Sequence, residues 1–311
     1  MQPLLNAIQT MDLPTDARRV FHGRGGLHPG CEHLSFDFFP PVWVLTSFQP
    51  VAEDDLAQVG AALARRWQQL APDEPLNWVF QCRHEGQSTT QLMAGAVPDP
   101  HWVVEAGLRY RVNVGGGQNH GLFLDMAEGR RWVHAHVAAR ITVQSRVKVL
   151  NLFAYTCAFS VVALKAGARH VMNLDMSKGA LAIGQQNHRA NDTLANASFL
   201  PHDIFSSWGK ITRGGPYGLV IVDPPSYQKG SFIATKDYAR LIRRLPGLLA
   251  PDGHALLCLN APELGPAFLQ EQVSELAPEL TFVERLANPS EFADISEERS
   301  LKVLVYRAPP L

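Results

Sequence analysis

RVKVLNLFAYTCAFSVVALKAGARHVMNLDM, residues 146–176, is the stretch whose reading decides the fold. Val147, Val149, Leu150 and Leu152 form an apolar run of strand length. A turn of small and polar residues follows, Ala154-Tyr155-Thr156-Cys157-Ala158. Phe159, Val162, Ala163 and Ala166 then recur at helical spacing. Gly167 stands where a helix-ending residue takes a left-handed conformation. Val171, Met172 and Leu174 begin a second strand that ends on Asp175. A strand, a tight turn, a helix and a strand ending in an acid is the nucleotide half-site of doubly wound α/β folds, with the acid placed to take two ribose hydroxyls. In that reading the turn's amides and the helix N-terminus face the ligand. The plain alternative is a buried crossover with an incidental aspartate at a strand end.

No glycine lies between Asn151 and Ala166, so the dinucleotide fingerprint G-x-G-x-x-G is absent. The chain also lacks the phosphate-loop motif G-x-x-x-x-G-K-[ST]. A turn of this kind does not suit a pyrophosphate. S-adenosylmethionine (SAM) carries a ribose and an adenine but no phosphate, and it fits. Asn151 and Tyr155 can bond its methionine end.

At 311 residues the chain has room for one large domain or two modest ones. Hydrophobic residues make up 46% and charged residues 18%, the composition of an ordinary soluble globular protein. No apolar run approaches the length of a membrane span, and the first residues lack the basic and apolar pattern of a secretory signal. Cys31, Cys82, Cys157 and Cys258 are too widely spaced for a C-x-x-C site and read as free thiols in a reducing, cytoplasmic setting. The net charge of −1 argues against a dedicated non-specific nucleic-acid binder, so any RNA contact must use a local basic surface.

Along the chain, residues 1–35 show little periodicity, and 1–40 read as an N-terminal arm. Its basic, glycine-rich piece Arg18–Gly26 is either a surface loop or a phosphate-contacting arm. Residues 41–114 read as a small α+β unit of order β-α-β-β-β. Strands fall near Val42–Leu45, Leu76–Cys82, His101–Glu105 and Leu108–Val114. The helix Glu53–Leu70 carries Leu56, Val59, Leu63, Trp67 and Leu70 on one face, and Asp54 and Asp55 in its first turn complement its dipole. Trp43, Trp78, Trp102 and Tyr110 read as this unit's core. Residues 115–145 hold the hinge candidate Gly115-Gly116-Gly117 and a connecting helix from about Glu128 to Arg140. His134 and His136 stand two apart on that helix, do not share a face, and are not read as a metal site.

From 146 to 311 strands and helices alternate. Ser177 is placed to cap a helix over 178–191. Strands Ala197–Leu200, Tyr217–Val222 and His254–Leu259 are expected, with helices over 235–249 and 266–276. The last two strands, Thr281–Leu286 and Leu301–Tyr306, have too short a link for a crossover and should pair antiparallel. This is a Rossmann-like sheet of seven strands with an antiparallel last strand, in which Asn151, Asp175, Asp203 and Asp223 converge beyond the strand ends.

That order of strand-end residues resembles class I SAM-dependent methyltransferases. Leu122-Phe123-Leu124-Asp125, Asn151-Leu152-Phe153-Ala154-Tyr155-Thr156 and Asp223-Pro224-Pro225 further resemble a bacterial family of 23S ribosomal RNA methyltransferases. It contains cytosine-C5 enzymes and a guanine-N7 enzyme. The resemblance covers about residues 40–306, including the accessory unit before the glycines. It implies SAM as cofactor, no metal, and RNA, 23S ribosomal RNA or a large-subunit precursor, as partner. By resemblance Phe153, Ala154, Tyr155 and Thr156, with Asn151 beside them, hold the methionine part. Asp175 takes the ribose and Met176 lies near the adenine. Asp203 accepts the adenine amino group, Ile204 packs on the ring, and Leu124 and Asp125 close the pocket. Asp223, Pro224 and Pro225 flank the target base, and Tyr227 stacks on it. Arg240, Arg243, Arg244, Lys229 and Lys236 form either a phosphate patch or a solvated helix face.

Two departures stand out. Cys157 replaces the glycine of the family's Y-T-G turn, and its Cβ would strain a left-handed backbone there. The C5 members carry a nucleophilic cysteine after the fifth strand, because cytosine C5 needs a thiolate added at C6. Here that position is Asn260, as in the guanine-N7 members, and Ser290-Glu291-Phe292 is similar to their S-x-[DE]-F. The resemblance therefore points to the guanine-N7 branch. Cytosine-C5 methylation through Cys258, methylation of a protein or small molecule, and SAM binding without catalysis are the alternatives.

Overall fold

The computed structural model describes residues 1–141, 147–225, 227–228 and 232–311, with only the backbone of Tyr227 and Gln228. The chain divides into two compact units. One comprises Met1–Leu124 and Pro289–Ile295, the other Asp125–Asn288 and Ser296–Leu311.

The first unit holds α1 (Gln2–Thr10), β1 (Arg18–His22), β2 (Leu34–Phe39), β3 (Val42–Ser47), α2 (Glu53–Leu70), β4 (Asn77–His84) and β5 (Gln87–Ala94). A separate hairpin is formed by β6 (His101–Glu105) and β7 (Leu108–Val112). The five-stranded sheet runs β1-β2-β3-β4-β5. Its neighbours are antiparallel except β3 and β4, which α2 joins by a crossover. Phe36, Phe38, Trp43, Leu45, Trp78 and Phe80 pack against Leu4 and Ile8 of α1 and the expected apolar face of α2.

This unit corrects the expectation for residues 1–40, which are no arm. They supply α1 and two strands, and the basic segment around Arg19 is sheet, not a free loop. Asp37 on β2 explains the disguise. It interrupts the apolar pattern, yet it is buried because Arg19 on β1 meets both its oxygens, at 2.7 and 3.0 Å. The expected order also lacked β5, a polar edge strand whose exposed Gln87, Thr89 and Gln91 offer no apolar signal. Trp102 is only half-buried, on the hairpin, with Arg109 over its ring, whereas Trp43, Trp78 and Tyr110 are core. The triple glycine is not the boundary either. Gln81 donates to the Gly117 carbonyl at 2.7 Å and Asn113 to the His120 carbonyl at 2.9 Å, which keeps 117–120 in the first unit.

Residues 289–295 join this unit from far along the chain. Phe292 lies under the Arg19 guanidinium at 4.4 Å, Glu291 pairs with Arg18, and the Ile295 amide donates to the Gly25 carbonyl at 2.9 Å.

The second unit contains α3 (Ala127–Ile141), β8 (Lys148–Leu152), α4 (Ala158–Lys165), β9 (His170–Leu174), α5 (Lys178–Ala190) and β10 (Ala197–Leu200). There follow α6 (Trp208–Gly214), β11 (Tyr217–Val222), the short strands β12 (Tyr227–Gln228) and β13 (Phe232–Ile233), α7 (Ala234–Ile242) and α8 (Leu245–Leu248). It ends with β14 (Leu249–Leu259), α9 (Pro266–Leu276), β15 (Thr281–Arg285) and β16 (Lys302–Arg307). The seven-stranded sheet runs β10-β9-β8-β11-β14-β16-β15. Its first five strands are parallel, and β16 is antiparallel to both neighbours. The order reverses between β8 and β11, the switch point at which such sheets bind ligands. Ile211, Leu241, Leu248, Leu269 and Val273, from α6 to α9, share one core with Val220, Leu257 and Leu304 of the sheet.

The helix expected over 235–249 is instead α7 and α8, and β14 begins at Leu249. Pro246 lacks the amide that a continuous helix would need there. Gly253 lets β14 run on through Pro251-Asp252-Gly253, since a Cβ there would sit 2.7 Å from the Ala250 carbonyl oxygen and 2.9 Å from that of Tyr217.

A Cβ at Gly25 would lie 2.0 Å from the Ala293 carbonyl oxygen. Gly25→Ala is therefore expected to lift residues 289–295 from the first unit. Limited proteolysis with mass mapping should find faster cleavage in that segment, at unchanged far-ultraviolet circular dichroism.

Candidate functional site

Strand register builds the site. Leu152, Leu174, Leu200, Val222 and Leu257 lie in one row across the five parallel strands. The residues just past that row, Phe153, Asp175, Asp223 and Cys258, therefore emerge along one edge, with Asp203 three residues beyond Leu200. Asn151 lies one position inside the row, beside Asn173, and is 1% exposed. Its amide donates to Asn173 Oδ1 at 2.9 Å, and Asn173 donates to Ser160 and to the Ser198 carbonyl. Asn151 is thus committed to the sheet interior, unlike the expected contact with the methionine end.

The turn after β8 is unusual. Phe153, Tyr155 and Cys157 all have positive φ, at 58°, 46° and 64°, without a glycine among them. Such backbone is costly for L side chains and persists only where surroundings over-determine it, often at ligand sites. Here the turn is tied down at several points. The Ala154 amide donates to the Leu174 carbonyl at 2.9 Å, the Tyr155 amide to Asp175 Oδ2 at 2.8 Å, and Asn187 of α5 to the Thr156 carbonyl at 2.9 Å. The other oxygen of Asp175 takes the Ser177 amide at 2.8 Å, and Ser177 caps α5 as expected. The turn's amides are therefore largely spent on the protein, against the expectation that they face a ligand. Asp175 braces the turn and retains lone pairs for further donors. Thr156 is buried, Phe153 and Tyr155 are half-buried, and Met176 is 52% exposed.

Cys157 keeps the left-handed conformation expected of a glycine there, and the rest of the site accommodates its side chain. The thiol is fully buried with Ala154 and Leu181. Gly184 of α5 makes the room, since a Cβ there would stand 2.5 Å from the Cys157 sulfur. Burial and the nearby Asp175 carboxylate push the Cys157 thiol well above the usual range, so it is no nucleophile.

Asp203 accepts the amides of Phe205 and Ser206 at 3.2 and 3.0 Å, which forms the turn in which Ile204 is buried. Asp125 lies in the 3-10 turn Leu124–Met126, where Leu124 is buried. Asp125 and Asp223 interact: burial, then Asp125, push the Asp223 pKa up to about 7, against Arg130 and a hydrogen bond from the Cys258 thiol. Arg130 is nearly fully buried on α3, a placement that no sequence pattern announces, because α3 has no clear apolar stripe against which a buried charge would show. Cys258 is buried and its thiol is raised well above its usual range by burial, then by Asp223 and Asp125. Asn260 is exposed just past β14. Pro224 is buried and Pro225 half-buried. The Tyr227 side chain and Lys229 lie outside the described residues. Among the described residues, no group of three or more His, Cys, Asp or Glu is placed to hold a metal, and no helix is long and apolar enough to cross a membrane.

The edge thus presents acid side chains at three strand ends around the switch point, with Asp125 beside them, and a strained, braced turn. Residues 18–307 match the profile of the S-adenosylmethionine-dependent methyltransferases. The chain belongs to that family. Its cofactor is SAM, and the site suits it: the carboxylates of Asp125 and Asp223 can face a sulfonium, and no phosphate loop is present. A ribosomal RNA large subunit methyltransferase I of Aeromonas salmonicida is 29% identical over 194 residues, 60% of this chain and 47% of that protein. A ribosomal RNA large subunit methyltransferase K/L of Psychrobacter cryohalolentis is 37% identical over 142 residues, 43% of this chain and 17% of that protein. The chain thus spans about half the length, or less, of these curated relatives. SMU.776, solved as a complex with SAH, superposes with a TM-score of 0.80 at 24% identity, covering 99% of this chain and 81% of that one, a likeness of fold.

Gly184→Ala should destabilise the second unit by about 1–3 kcal/mol, because it overpacks against a sulfur held in a rigid turn; thermal unfolding reads the loss. The Asp223 pKa, raised from 3.8 to about 7 on folding, contributes stability that is present below about 4 and lost as pH rises through about 7. Asp223→Asn should abolish that component, seen as a flatter dependence of denaturant midpoint on pH between those values.

Proposed function

We propose that this chain methylates a base of large-subunit ribosomal RNA, with guanine N7 as the acceptor. The observation that carries the choice of atom is the state of the cysteines at the site. Cytosine C5 needs an accessible thiolate, whereas Cys258 is buried and held protonated, and Asn260 occupies the exposed position beyond it. The names of the relatives support the RNA class. In this reading Phe153, Ala154, Tyr155 and Thr156 form the wall against the methionine part, above Asn151. Asp175 holds the ribose with the lone pairs its brace leaves open, beside Met176. Asp203 and Ile204 take the adenine, and Leu124 and Asp125 close the pocket.

Bound SAM supplies an electrophilic methyl group on a cationic sulfur. Guanine N7 carries an exposed lone pair, so the protein needs no general base and contributes alignment. Asp223, when ionised, accepts from the guanine N1–H and amino edge. Pro224 and Pro225 fix the carboxylate's loop, and Asn260 borders the base. A cation beside Asp125 and Asp223 favours the ionised form of Asp223. Cytosine-C5 chemistry has one observation in its favour, the hydrogen bond between Cys258 and Asp223 at the same strand-end row.

Mass spectrometry of ribosomal RNA nucleosides should lose 7-methylguanosine, and not 5-methylcytidine, when the gene is deleted; loss of 5-methylcytidine would overturn the choice of atom. Calorimetry should find SAM binding abolished by Asp175→Ala, which removes the brace on the turn as well as the ribose contact. Binding should release protons near pH 7 through Asp223, and Asp223→Asn should remove that release. Cys258→Ser should keep full activity.

A further inference from the structure

The arginines after the Asp-Pro-Pro turn have partners that the sequence did not suggest. The Arg240 guanidinium lies 3.7 Å from the Phe205 ring centre, and that of Arg244 lies 5.3 Å from the Trp208 ring centre. The two rings meet edge to face at 6.2 Å. Phe205 follows Asp203 and Ile204 and Trp208 opens α6, so the adenine-side segment carries the rings, and α7 with the turn before α8 carries the charges. Lys236 and Arg240 stand one turn apart on one face of α7, and Arg244 follows in the turn before α8. All three are exposed, as are Arg243, Lys210 and Arg213.

The acids near these arginines are Asp203 and Asp237, in a chain whose net charge is −1. Both acids are engaged locally. Asp203 takes the Phe205 and Ser206 amides, and Asp237 takes the Ile233 amide and Arg240. Arg244 and Lys236 thus add local positive charge beside the Arg240–Asp237 pair. A guanidinium laid on an aromatic ring is held in one orientation and is easier to desolvate than a lysine ammonium, and Arg240 gives one N–H to the buried Asp237. Since the arginines cover the rings, the rings serve to hold them and are not platforms for bases.

We infer that Phe205–Arg240 and Trp208–Arg244 form a preorganised site for the phosphodiester backbone of RNA flanking the nucleotide at the Asp-Pro-Pro turn. The inference rests on the RNA reading above and gives it a surface. Contacts of this kind set position and orientation without reading sequence, which leaves selection of the target base to the strand-end site.

The test measures fluorescence anisotropy of a labelled fragment of large-subunit ribosomal RNA with the full chain over a salt series. SAM binding is followed separately by calorimetry. Arg240→Gln with Arg244→Gln should weaken RNA binding by about tenfold or more and reduce the salt slope by roughly two, with SAM affinity at the wild-type value. Arg240→Lys with Arg244→Lys should keep the slope but lose part of the affinity. Undiminished RNA affinity and slope in the glutamine variant overturn the site, as does loss of SAM binding with RNA binding intact. Since binding is read without methyl transfer, arginine-dependent RNA binding with no methylated nucleoside would fail only the proposed reaction.

Discussion

The Asp175 carboxylate is the contact on which the rest of the second unit's edge depends. It sits at the end of β9, yet its two oxygens reach in different directions, one to the turn after β8 and one to the start of α5. Three consecutive elements of the βαβα run are thereby referred to one side chain. The turn it holds contains three residues in backbone conformations that cost about 1 kcal/mol or more each in isolation. Removing the carboxylate would release that cost into local rearrangement, so a ribose contact and the shape of the neighbouring wall are not separable properties.

The same turn illustrates how a site tolerates an unfavourable residue. A glycine at 157 would adopt the left-handed backbone without strain. The cysteine keeps the backbone and fills a space that α5 leaves by having Gly184 opposite it. The missing side chain has in effect moved across the helix–turn interface. Cysteine is small and soft enough to fit, and its burial makes it chemically inert.

What could be read in the sequence was whatever follows from periodicity and register. The run 147–175 gave its strand, helix, glycine stop and acid in the right places, and the Asp175, Asp203 and Asp223 edge follows from it. Ser177 as a cap and the antiparallel final pair were legible for similarly local reasons. What was hidden depended on contacts distant in sequence. Asp37 looked like a break in a pattern until Arg19 was seen across the sheet. β5 opens with five polar residues, Gln87–Gln91, and keeps its apolar residues for its last three positions, so no alternating pattern announces it. Arg130 faces Asp223 from another element, and Asn151 was expected in the pocket because only the register places it one step inside. The aromatic partners of Arg240 and Arg244 come from some 35 residues earlier in the chain, which no local pattern encodes.

The insertion of residues 289–295 into the first unit sets an order of events. The strands and helices of that unit are all translated within the first 124 residues, but the Arg18, Arg19 and Gly25 contacts wait for a peptide made after almost all of the second unit. On a ribosome the amino-terminal unit would emerge first and be completed only just before β16 closes the second unit's sheet. Until then Arg19 would have its aspartate but not its phenylalanine. The chain is therefore poorly suited to being cut at the junction near residue 124, for the fragment ending there would lack a piece of its own surface, and the remainder would carry that piece with nothing to cover it.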